Sequence, residues 1–364
     1  MLDILRLLEQ LWDSGRTAAI ATIVHTSGST YRAVGAKGVI LPDGTIYGTL
    51  SGGCVEADLW EHAAQVMETL IPRIIEYDFY ADGKEPWGLG TGCNGALKIW
   101  IEPFDPRNRY ESAFEMLSIY REQLPSWTVI CSDRPDRYPK GKKYIQGQAQ
   151  PALLREAPGA SGLYAVECGD AQVEVYFEKL KRIPRLIIFG AGSDAVPLAR
   201  GAKLLNWHVT VVDHRPAYAN KARFPEADEL IVSEPGKLPE QLTIRDDDYA
   251  VIMTHHFEQD TLYLRHLLTF RLSYVGILGP KHRTNRMLES GAVPPGQQGE
   301  ALHSPVGLDI GAETPEEIAI SILSEIMMHV NGSTGTSLKH RNGPIHRKAS
   351  EPGNRLQPNL RNGS

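Results

Sequence analysis

The most constraining feature of the chain is a short apolar strand that runs directly into a glycine loop and a helix. Residues 185–189 read RLIIF, residues 190–195 read GAGSDA, and a helical pattern follows. Glycines at the first and third loop positions allow a sharp turn and a close approach of the backbone to a ligand. A buried strand, this turn and a helix are the opening unit of a parallel sheet. We therefore expect an α/β fold in the C-terminal half.

The chain from Pro184 onward supports this expectation. Apolar and β-branched runs predict strands at 185–189, 208–212, 229–232, 250–254 and 274–278, with helices at 196–205 and 261–269. Such alternation favours a Rossmann-like, doubly wound parallel sheet. The sequence TPEE at 314–317 supplies an N-cap, a proline at the first helical position and a capping-box glutamate for a helix ending near Val330. We assign this domain to residues 184–330.

The remainder of the chain divides into three further regions. Residues 1–106 predict a mixed α+β domain, with helices at 2–12 and after Cys54 and strands at 17–24, 37–41, 45–50, 73–79 and 96–101. Residues 107–183 predict a connecting lobe with a helix at 110–122 and strands at 128–132 and 172–177. Residues 331–364 are polar, basic and without apolar period, which is typical of a disordered tail.

Charge, apolar runs and cysteine spacing exclude several classes of protein. The net charge of −6 gives no reason to expect nucleic-acid binding, and no apolar run reaches membrane-spanning length. The first residues enter an amphipathic helix without a basic segment or cleavage site, so we expect no secretory signal and a cytoplasmic location. The four cysteines form no C-x-x-C pair, which excludes a zinc knuckle. A homodimer is the expected state for a cytosolic protein of this size.

Two cysteines lie in glycine-rich segments of the N-terminal domain. Cys54 follows Gly52 and Gly53 in SGGCVEAD, at or beside a predicted helix N-terminus, where free N–H groups lower the pKa of a thiol. Such a thiol can act as a nucleophile, a sulfur carrier or a soft-metal ligand, and a buried structural thiol is the alternative. Cys93 lies in GLGTGCNG, where the structural interpretation is favoured. The loop at 28–37 carries Arg32 and Lys37, either for phosphate binding or as a solvated loop.

The glycine loop itself predicts a phosphate site. Gly190 and Gly192 open the helix whose N-terminus would hold a phosphate, and Asp213 ends the next strand at the position of a ribose-binding acid. Arg215 adds a cation that serves a second anionic group or faces solvent. His255 follows a parallel strand at the sheet edge where ligands bind, and a vacant Rossmann domain is the alternative for the whole site.

Three segments together resemble the XdhC/CoxI family, accessory proteins that mature molybdenum hydroxylases such as xanthine dehydrogenase in purine catabolism. They are GAKGVILPDGTIYGTLSGGCVEADL within residues 28–62, the pair GAGSDAVPLA and VTVVDHRP, and the pair YVGILGPKHR and HSPVGLDIGAETPEEIAISILSEI. The resemblance covers residues 10–103 and 184–330. Tyr31 precedes Arg32 where loops of the family often read S-x-P-R, so this chain departs from the family there.

The resemblance implies transient binding of the molybdenum cofactor (molybdopterin), its protection during sulfuration and its delivery to an apo-hydroxylase. A cysteine desulfurase would supply the sulfur. The implied role is that of an accessory factor rather than an enzyme, and no catalytic residue is assigned. The cofactor-binding residues expected on this basis, with Cys54 also as a molybdenum contact, are Arg32, Gly52, Gly53, Cys54, Glu56, Cys93, Gly190, Gly192, Asp213 and His255.

Two alternatives to this role stay open at the level of sequence. One is an NAD(P)-dependent oxidoreductase that uses Gly190, Gly192 and Asp213. The other is a non-catalytic subunit that remains with the hydroxylase.

Overall fold

A computed structural model describes residues 2–53, 55–79, 94–148, 151, 154, 157–180, 182–234, 240, 242–292 and 301–340. The chain forms two compact units that meet in sequence at Lys181 and Arg182. Cys54 and Cys93, both predicted as site residues, lie outside the described residues. The second unit ends at His340, within the segment expected to be a tail, and the rest of that segment is also outside the described residues.

A five-stranded antiparallel sheet forms the centre of the N-terminal half of the first unit. Its strands β1–β5 follow the order β3-β2-β1-β5-β4 and are flanked by helices α1 and α2. The bounds are α1 Leu2–Ser14, β1 Ala18–Ser29, β2 Lys37–Ile40, β3 Ile46–Gly48, α2 Glu56–Thr69, β4 Arg73–Asp78 and β5 Asn94–Phe104. Strand β1 is apolar on both faces because Ile20 packs towards α1 while Ala21 and Ile23 pack towards α2. This explains its continuous apolar sequence.

The second half of this unit contains helix α3 and a four-stranded antiparallel sheet of order β7-β6-β9-β8. The bounds are α3 Tyr110–Glu122, β6 Ser126–Ser132, β7 Lys143–Ile145, β8 Gly162–Cys168 and β9 Ala171–Glu178. The predicted helix and the strands β6 and β9 agree with these elements, whereas β7 and β8 were not predicted. Strand β7 has only three residues and β8 alternates weakly, so neither produces a strong pattern.

Two buried ion pairs of opposite polarity join the sheets of the first unit. Lys37 on β2 pairs with Glu178 on β9 at 2.7 Å, and Glu102 on β5 pairs with Lys143 on β7 at 2.8 Å. Each sheet therefore contributes one cation and one anion to the interface. Buried charges are tolerated only when paired and hydrogen-bonded, so these pairs fix how the two sheets face each other.

The second unit is a parallel sheet with helices on both faces, which confirms the predicted α/β class. Six strands follow the order β12-β11-β10-β13-β14-β15, and the pairings are parallel. The bounds are β10 Arg185–Phe189, α4 Ala195–Leu204, β11 His208–Asp213, β12 Glu229–Val232, β13 Tyr249–Ile252, α5 Phe257–Leu267, β14 Tyr274–Ile277, α6 Lys281–Met287, β15 Leu302–His303 and α7 Pro315–Val330. Apolar residues of α4 and α7 cover one face, and those of α5 cover the other. The order reverses between β10 and β13, which places the ligand crevice of such a sheet there.

The last helix begins as the sequence predicts. The Thr314 side chain accepts a hydrogen bond from the Glu317 N–H, and the Glu317 carboxylate accepts one from the Thr314 N–H at 2.9 Å. This capping box satisfies donors that a helix start would otherwise leave unpaired.

Candidate functional site

The glycine loop lies at the carboxyl end of β10, beside the loop that follows β13. Gly190 has a φ of +111°, and a Cβ added there would lie 2.6 Å from the carbonyl oxygen of Met253. Glycine is therefore required both by the backbone conformation and by the close approach of the two loops. A Cβ added at Gly192 would lie 2.5 Å from Oδ1 of Asp194. The loop thus has the tight geometry that a phosphate-binding turn requires.

The side chain of Asp213 is hydrogen-bonded to the glycine loop and is buried. Its Oδ2 accepts hydrogen bonds from the Ala191 N–H at 2.7 Å and from Nη2 of Arg215 at 2.8 Å. Its Oδ1 accepts from the backbone N–H and from Nε of Arg215, both at 2.9 Å. Burial opposes ionisation, but these hydrogen bonds outweigh it and hold the pKa of Asp213 below its ordinary value. The carboxylate consequently fixes the loop and Arg215 in place.

Asp194 and His255 connect the two loops across the crevice. Oδ2 of Asp194 lies 2.6 Å from Nε2 of His255, and Oδ1 accepts a hydrogen bond from the Ala195 N–H at 3.1 Å. The carboxylate therefore lies at the N-terminus of α4. The hydrogen bond that the Asp194 carboxylate accepts raises the pKa of His255, against the opposing effect of burial. His255 has a φ of +62°, a conformation that costs a non-glycine residue about 1–2 kcal/mol.

A second carboxylate orders the other side of the β13 loop. Asp260 is fully buried, and its Oδ1 accepts hydrogen bonds from the hydroxyl of Thr254 at 2.5 Å and from the Thr254 N–H at 3.2 Å. Its Oδ2 lies 2.6 Å from Nη2 of Arg283 on α6. Arg283, which follows β14 at this edge of the sheet, is therefore committed to an internal ion pair.

Two arginines lie over one aromatic ring beside the glycine loop. Cζ of Arg215 lies 3.9 Å and Cζ of Arg223 lies 4.7 Å from the centroid of the Tyr218 ring. Nη2 of Arg223 donates to the carbonyl oxygen of Ala191 at 3.3 Å. The carbonyl oxygen of Ala191 therefore contacts Arg223 of this cluster, and the N–H of Ala191 contacts Asp213.

In the first unit, Glu56 organises the segment that contains Cys54. Its Oε2 accepts hydrogen bonds from the Ser51 hydroxyl at 2.5 Å and the Val55 N–H at 3.2 Å, and its Oε1 accepts from the Ser51 N–H at 3.3 Å. The Ser51 hydroxyl oxygen in turn accepts from the Gly53 N–H at 3.1 Å. This ring of hydrogen bonds holds the backbone on both sides of position 54.

Of the two glycines in this segment, Gly53 faces open space. Gly53 has a φ of +107°, and no atom of the described residues lies within 4 Å of a Cβ added there. A Cβ added at Gly52 would lie 3.9 Å from Cδ2 of Tyr31, so the 28–37 loop comes close to this segment. Arg32 is exposed in that loop. By contrast, the Lys37 side chain is only 2% exposed and paired with Glu178, so it is not a surface cation for phosphate.

The structure therefore groups the predicted residues into two sets. Gly190, Gly192, Asp213 and His255 meet at the crevice of the second unit, and Arg32, Gly52, Gly53 and Glu56 belong to one surface region of the first unit. Sequence reasoning did not assign roles to Asp194, Tyr218 or Arg223. The only signal for Asp194 was its place in the glycine loop, and Arg223 lies in a segment without a motif.

A metal centre and a membrane-spanning helix are both absent from the described residues. Within them, no group of three His, Cys, Asp or Glu side chains has an arrangement able to hold a metal ion. Every helix in the same residues is too short or too polar to cross a membrane.

The fold and both sites define an α+β domain with a glycine–cysteine segment followed by a Rossmann domain. The family model described as "XdhC and CoxI family" matches residues 11–78, and the model described as "XdhC Rossmann domain" matches residues 186–326. The chain belongs to this family, as the sequence resemblance predicted.

Relatives match almost the whole chain. A protein of Bacillus subtilis, named as a probable xanthine dehydrogenase subunit, is 34% identical over 88% of this chain and 96% of its own length. The Escherichia coli protein named "Molybdenum cofactor insertion chaperone PaoD" is 23% identical over 89% of this chain and 86% of its own length. A solved structure from Bacillus halodurans, described as a xanthine dehydrogenase, has a TM-score of 0.71 and 33% identity over 92% of this chain and 97% of that one.

Proposed function

We propose that the protein binds the molybdenum cofactor, protects it while a terminal sulfur is installed and inserts it into a molybdenum hydroxylase of the xanthine dehydrogenase type. The observation that carries this proposal is the near full-length similarity to a molybdenum cofactor insertion chaperone. Similarity to a protein named for xanthine dehydrogenase supports the type of partner. A cysteine desulfurase as sulfur source, a homodimeric state and a cytoplasmic location are further parts of the proposal.

The residues present fit such a ligand. In the first unit, the open backbone at Gly53 allows a bulky group to approach closely. The hydrogen bonds around Glu56 hold that backbone in place. In the second unit, the glycine loop and the α4 N-terminus suit a phosphate. When bound, the cofactor supplies a molybdenum centre with soft sulfur ligands, for which a thiolate such as that of Cys54 is a suitable contact. No acid or base is required from the chain for insertion.

The proposal is tested by purifying the full chain from cells that make the cofactor. Bound molybdenum and the fluorescence of the oxidised pterin are then measured in parallel. We expect both to copurify in similar molar amounts. A preparation that contains neither, under conditions where the hydroxylase of the same cells is loaded, would contradict the proposal.

The role of Cys54 is tested by Cys54→Ala with Cys131→Ala as the matched control. Cys131 is an exposed thiol on β6, so its replacement removes the same group away from the candidate segment. We expect Cys54→Ala to lower cofactor retention and hydroxylase activation with the fold intact, and Cys131→Ala to change neither. Equal activation by both variants would limit Cys54 to packing.

Gly192→Val tests the glycine loop of the second unit. The added side chain meets Oδ1 of Asp194 and blocks the approach of a phosphate. We expect lower cofactor retention, with the first unit folded. Undiminished retention would place the phosphate elsewhere.

A stable, non-catalytic subunit is the second candidate, because two similar proteins carry the name of the hydroxylase itself. The two roles differ in what happens after the hydroxylase is loaded. A chaperone separates from the loaded enzyme, whereas a subunit copurifies with it in a fixed ratio. The oxidoreductase alternative gains no support from these comparisons, and the four hydrogen bonds already made by Asp213 compete with binding of a ribose diol.

A further inference from the structure

The two sheets of the first unit share one arrangement of strands. The first half of the unit contains the order β2-β1-β5-β4 and the second half contains the order β7-β6-β9-β8, with antiparallel pairing throughout. A helix of 13 residues precedes each arrangement, α1 before β1 and α3 before β6. The strands therefore correspond one to one in chain order, β1 to β6, β2 to β7, β4 to β8 and β5 to β9.

The correspondence extends to individual side chains. In the first half, Thr22 on β1 lies opposite Lys37 on β2. In the second half, Thr128 on β6 lies opposite Lys143 on β7. Each lysine Nζ donates a hydrogen bond to its threonine hydroxyl, at 3.0 Å and 3.2 Å, and the partners are 15 positions apart in both cases.

The connections between these strands also match. The register of β1 shifts after Ile23, and the register of β6 shifts after Val129. The carbonyl oxygens of these two residues accept hydrogen bonds from the N–H groups of Gly35 and Gly141, each at 2.8 Å. Both glycines have a positive φ, +90° and +83°, which a side chain would oppose. A shared bulge, hydrogen bond and glycine conformation are specific features that two unrelated hairpins have no reason to share.

The two halves contact each other reciprocally. Lys37 of the first half pairs with Glu178 of the second. Lys143 of the second half pairs with Glu102 of the first. The two glutamates are themselves equivalent, because each lies two positions beyond the residue opposite the threonine. A contact between two positions that is repeated with the roles exchanged is the property of a two-fold interface.

The apolar residues between the halves follow the same rule. Val24 and Trp100 of the first half lie in one cluster with Ile130 and Tyr176, their equivalents in the second half. Self-similarity of sequence is the usual signature of a repeat, and it is weak here because such apolar positions hold different residues. Identical residues at equivalent positions include Thr22 and Thr128, Gly35 and Gly141, Lys37 and Lys143, and Glu102 and Glu178.

The halves differ in the connection that follows their second strand. Residues 41–72 separate β2 from β4 and contain β3, the segment around Gly53 and helix α2. The corresponding connection between β7 and β8 is much shorter, residues 146–161, and its described residues contain no α-helix. The candidate ligand segment of the first half therefore coincides with an addition to the shared arrangement.

One position on the central strand shows how the sheet adapts to α2. Ala21 on β1 packs in the same apolar cluster as Leu59 of α2. The equivalent residue on β6 is Trp127, whose ring centroid lies 4.6 Å from that of Phe177. The Trp127 Nε1 donates to the carbonyl oxygen of Leu154 at 3.0 Å. A small residue leaves room for the helix in the first half, and a large residue fills that space in the second.

A polar contact that joins α2 to the sheet is also specific to the first half. Tyr77 on β4 is buried, and its hydroxyl donates to Oδ2 of Asp58 on α2 at 2.6 Å. Val166 occupies the equivalent position on β8, because the two residues face equivalent positions of β5 and β9. The hydroxyl group is thus present where the helix is present.

We infer that the two halves of the first unit are copies of one module, and that residues 46–69 are an insertion that makes the first copy alone the ligand-binding one. Ser51, Gly53 and Glu56 belong to this insertion. The second half supports the first through the reciprocal ion pairs and carries no equivalent segment among its described residues. The statement about the ligand rests on the proposed function, whereas the duplication does not.

Urea unfolding of full-length variants tests the duplication. Lys37→Met and Lys143→Met should each lower the unfolding midpoint by about 1.5–2.5 M, because each breaks an equivalent buried ion pair. Glu178→Gln should recover at least half of the loss in Lys37→Met, and Glu102→Gln should do so in Lys143→Met. The exchanged combinations, Lys37→Met/Glu102→Gln and Lys143→Met/Glu178→Gln, should lower the midpoint further.

A rescue by the exchanged combinations, or losses in the two methionine variants that differ by more than about 1 M, would overturn the duplication. Thr22→Val and Thr128→Val give a milder test in case the methionine variants do not fold. Each removes one hydrogen bond to its lysine and keeps the shape of the side chain, so both midpoints should fall by about 0.5 M. A loss in only one of them would also overturn the duplication.

Copurified molybdenum and pterin test the role of the insertion. Glu56→Ala removes the hydrogen bonds that hold Ser51 and Val55, and should lose most of the cofactor while its urea midpoint falls by no more than about 0.5 M. Thr128→Val is the control, because it costs a similar amount of stability in the second half. It should retain the cofactor in the wild-type molar ratio.

The outcomes separate this inference from the proposed function. Full retention by Glu56→Ala, or an equal loss in Thr128→Val, would overturn the assignment of ligand binding to the insertion and leave the proposed function standing. Wild-type protein without cofactor, made in cells whose hydroxylase is loaded, would contradict the proposed function instead. The urea midpoints would still decide whether the two halves are copies.

Discussion

Removal of the buried cation Lys37 should destabilise the first unit strongly. Nζ of Lys37 lies 2.7 Å from Oε1 of Glu178 and donates to the Thr22 hydroxyl at 3.0 Å. The Glu178 oxygen also accepts a hydrogen bond from the Tyr176 hydroxyl at 3.4 Å. The Lys37 and Glu178 side chains are 2% and 9% exposed, so Lys37→Met would leave a carboxylate with almost no access to water.

The size of the effect follows from this burial. Breaking a buried ion pair by removing one partner costs about 3–5 kcal/mol, because the remaining charge is left uncompensated. With a urea m-value of about 2 kcal/mol/M, the midpoint of unfolding should fall by about 1.5–2.5 M. The double variant Lys37→Met/Glu178→Gln removes the orphaned charge and keeps an acceptor for Tyr176. It should recover at least half of the lost stability.

Urea unfolding, monitored by tryptophan fluorescence, measures the loss of stability mainly in the first unit. Five of the six tryptophans precede Lys181, and Trp100 and Trp127 are almost completely buried there. A loss below about 1 kcal/mol in Lys37→Met would refute the claim that the pair is energetically important. A double variant as unstable as the single variant would show that lost packing, rather than an unpaired charge, causes the loss.

Three further predictions concern the second unit. Asp194→Asn replaces the charged acceptor that raises the pKa of His255 by a neutral amide, so the NMR titration midpoint of His255 should fall; an unchanged midpoint would contradict the assigned cause. Because folding raises the pKa of His255, the stability contributed by the Asp194–His255 pair is complete below about pH 6.5 and is lost as the pH rises through the folded pKa. The urea midpoints of wild type and Asp194→Asn should therefore converge at high pH. Gly190→Ala should lower the calorimetric Tm of this unit, since the Cβ would lie 2.6 Å from the Met253 carbonyl oxygen and φ is +111°, whereas unaltered Tm would mean the loop can relax. Thr314→Ala should cost about 1 kcal/mol by loss of the cap, measured by chemical denaturation, and a cost near zero would show that the capping box contributes little.

Most regular elements could be predicted because their patterns are local. The bounds of α3, β10 and β12 agree with the sequence prediction at both ends, and those of most other elements differ by a few residues. The capping box at Thr314 was also predicted, because it depends on residues three apart in sequence. Strands β7 and β15 were missed because they have only three and two residues, and β8 was missed because its seven residues alternate weakly. Pairing with neighbouring strands stabilises all three.

The candidate site was predictable only in part. The glycine loop and Asp213 were recognised from sequence because a tight turn requires glycine and the acid follows at a characteristic spacing along the chain. Lys37 looked like a surface cation in the sequence, and only the distant Glu178 explains why it is buried. Arg223 and Asp194 act through partners on other elements, so no sequence window contains the relevant pair.

The sequence by itself determined the parallel α/β class of the second unit, the position of its glycine loop and the family, because periodicity, turn residues and motifs are properties of short segments. Only the tertiary structure decided which charges are available to a ligand. Asp213 is paired with Arg215 and hydrogen-bonded to the loop, Lys37 is paired with Glu178, and the Nε of Arg223 has no acceptor among the described residues. The physical reason is that charge compensation depends on distances of a few ångströms between residues far apart in sequence, which no local pattern specifies.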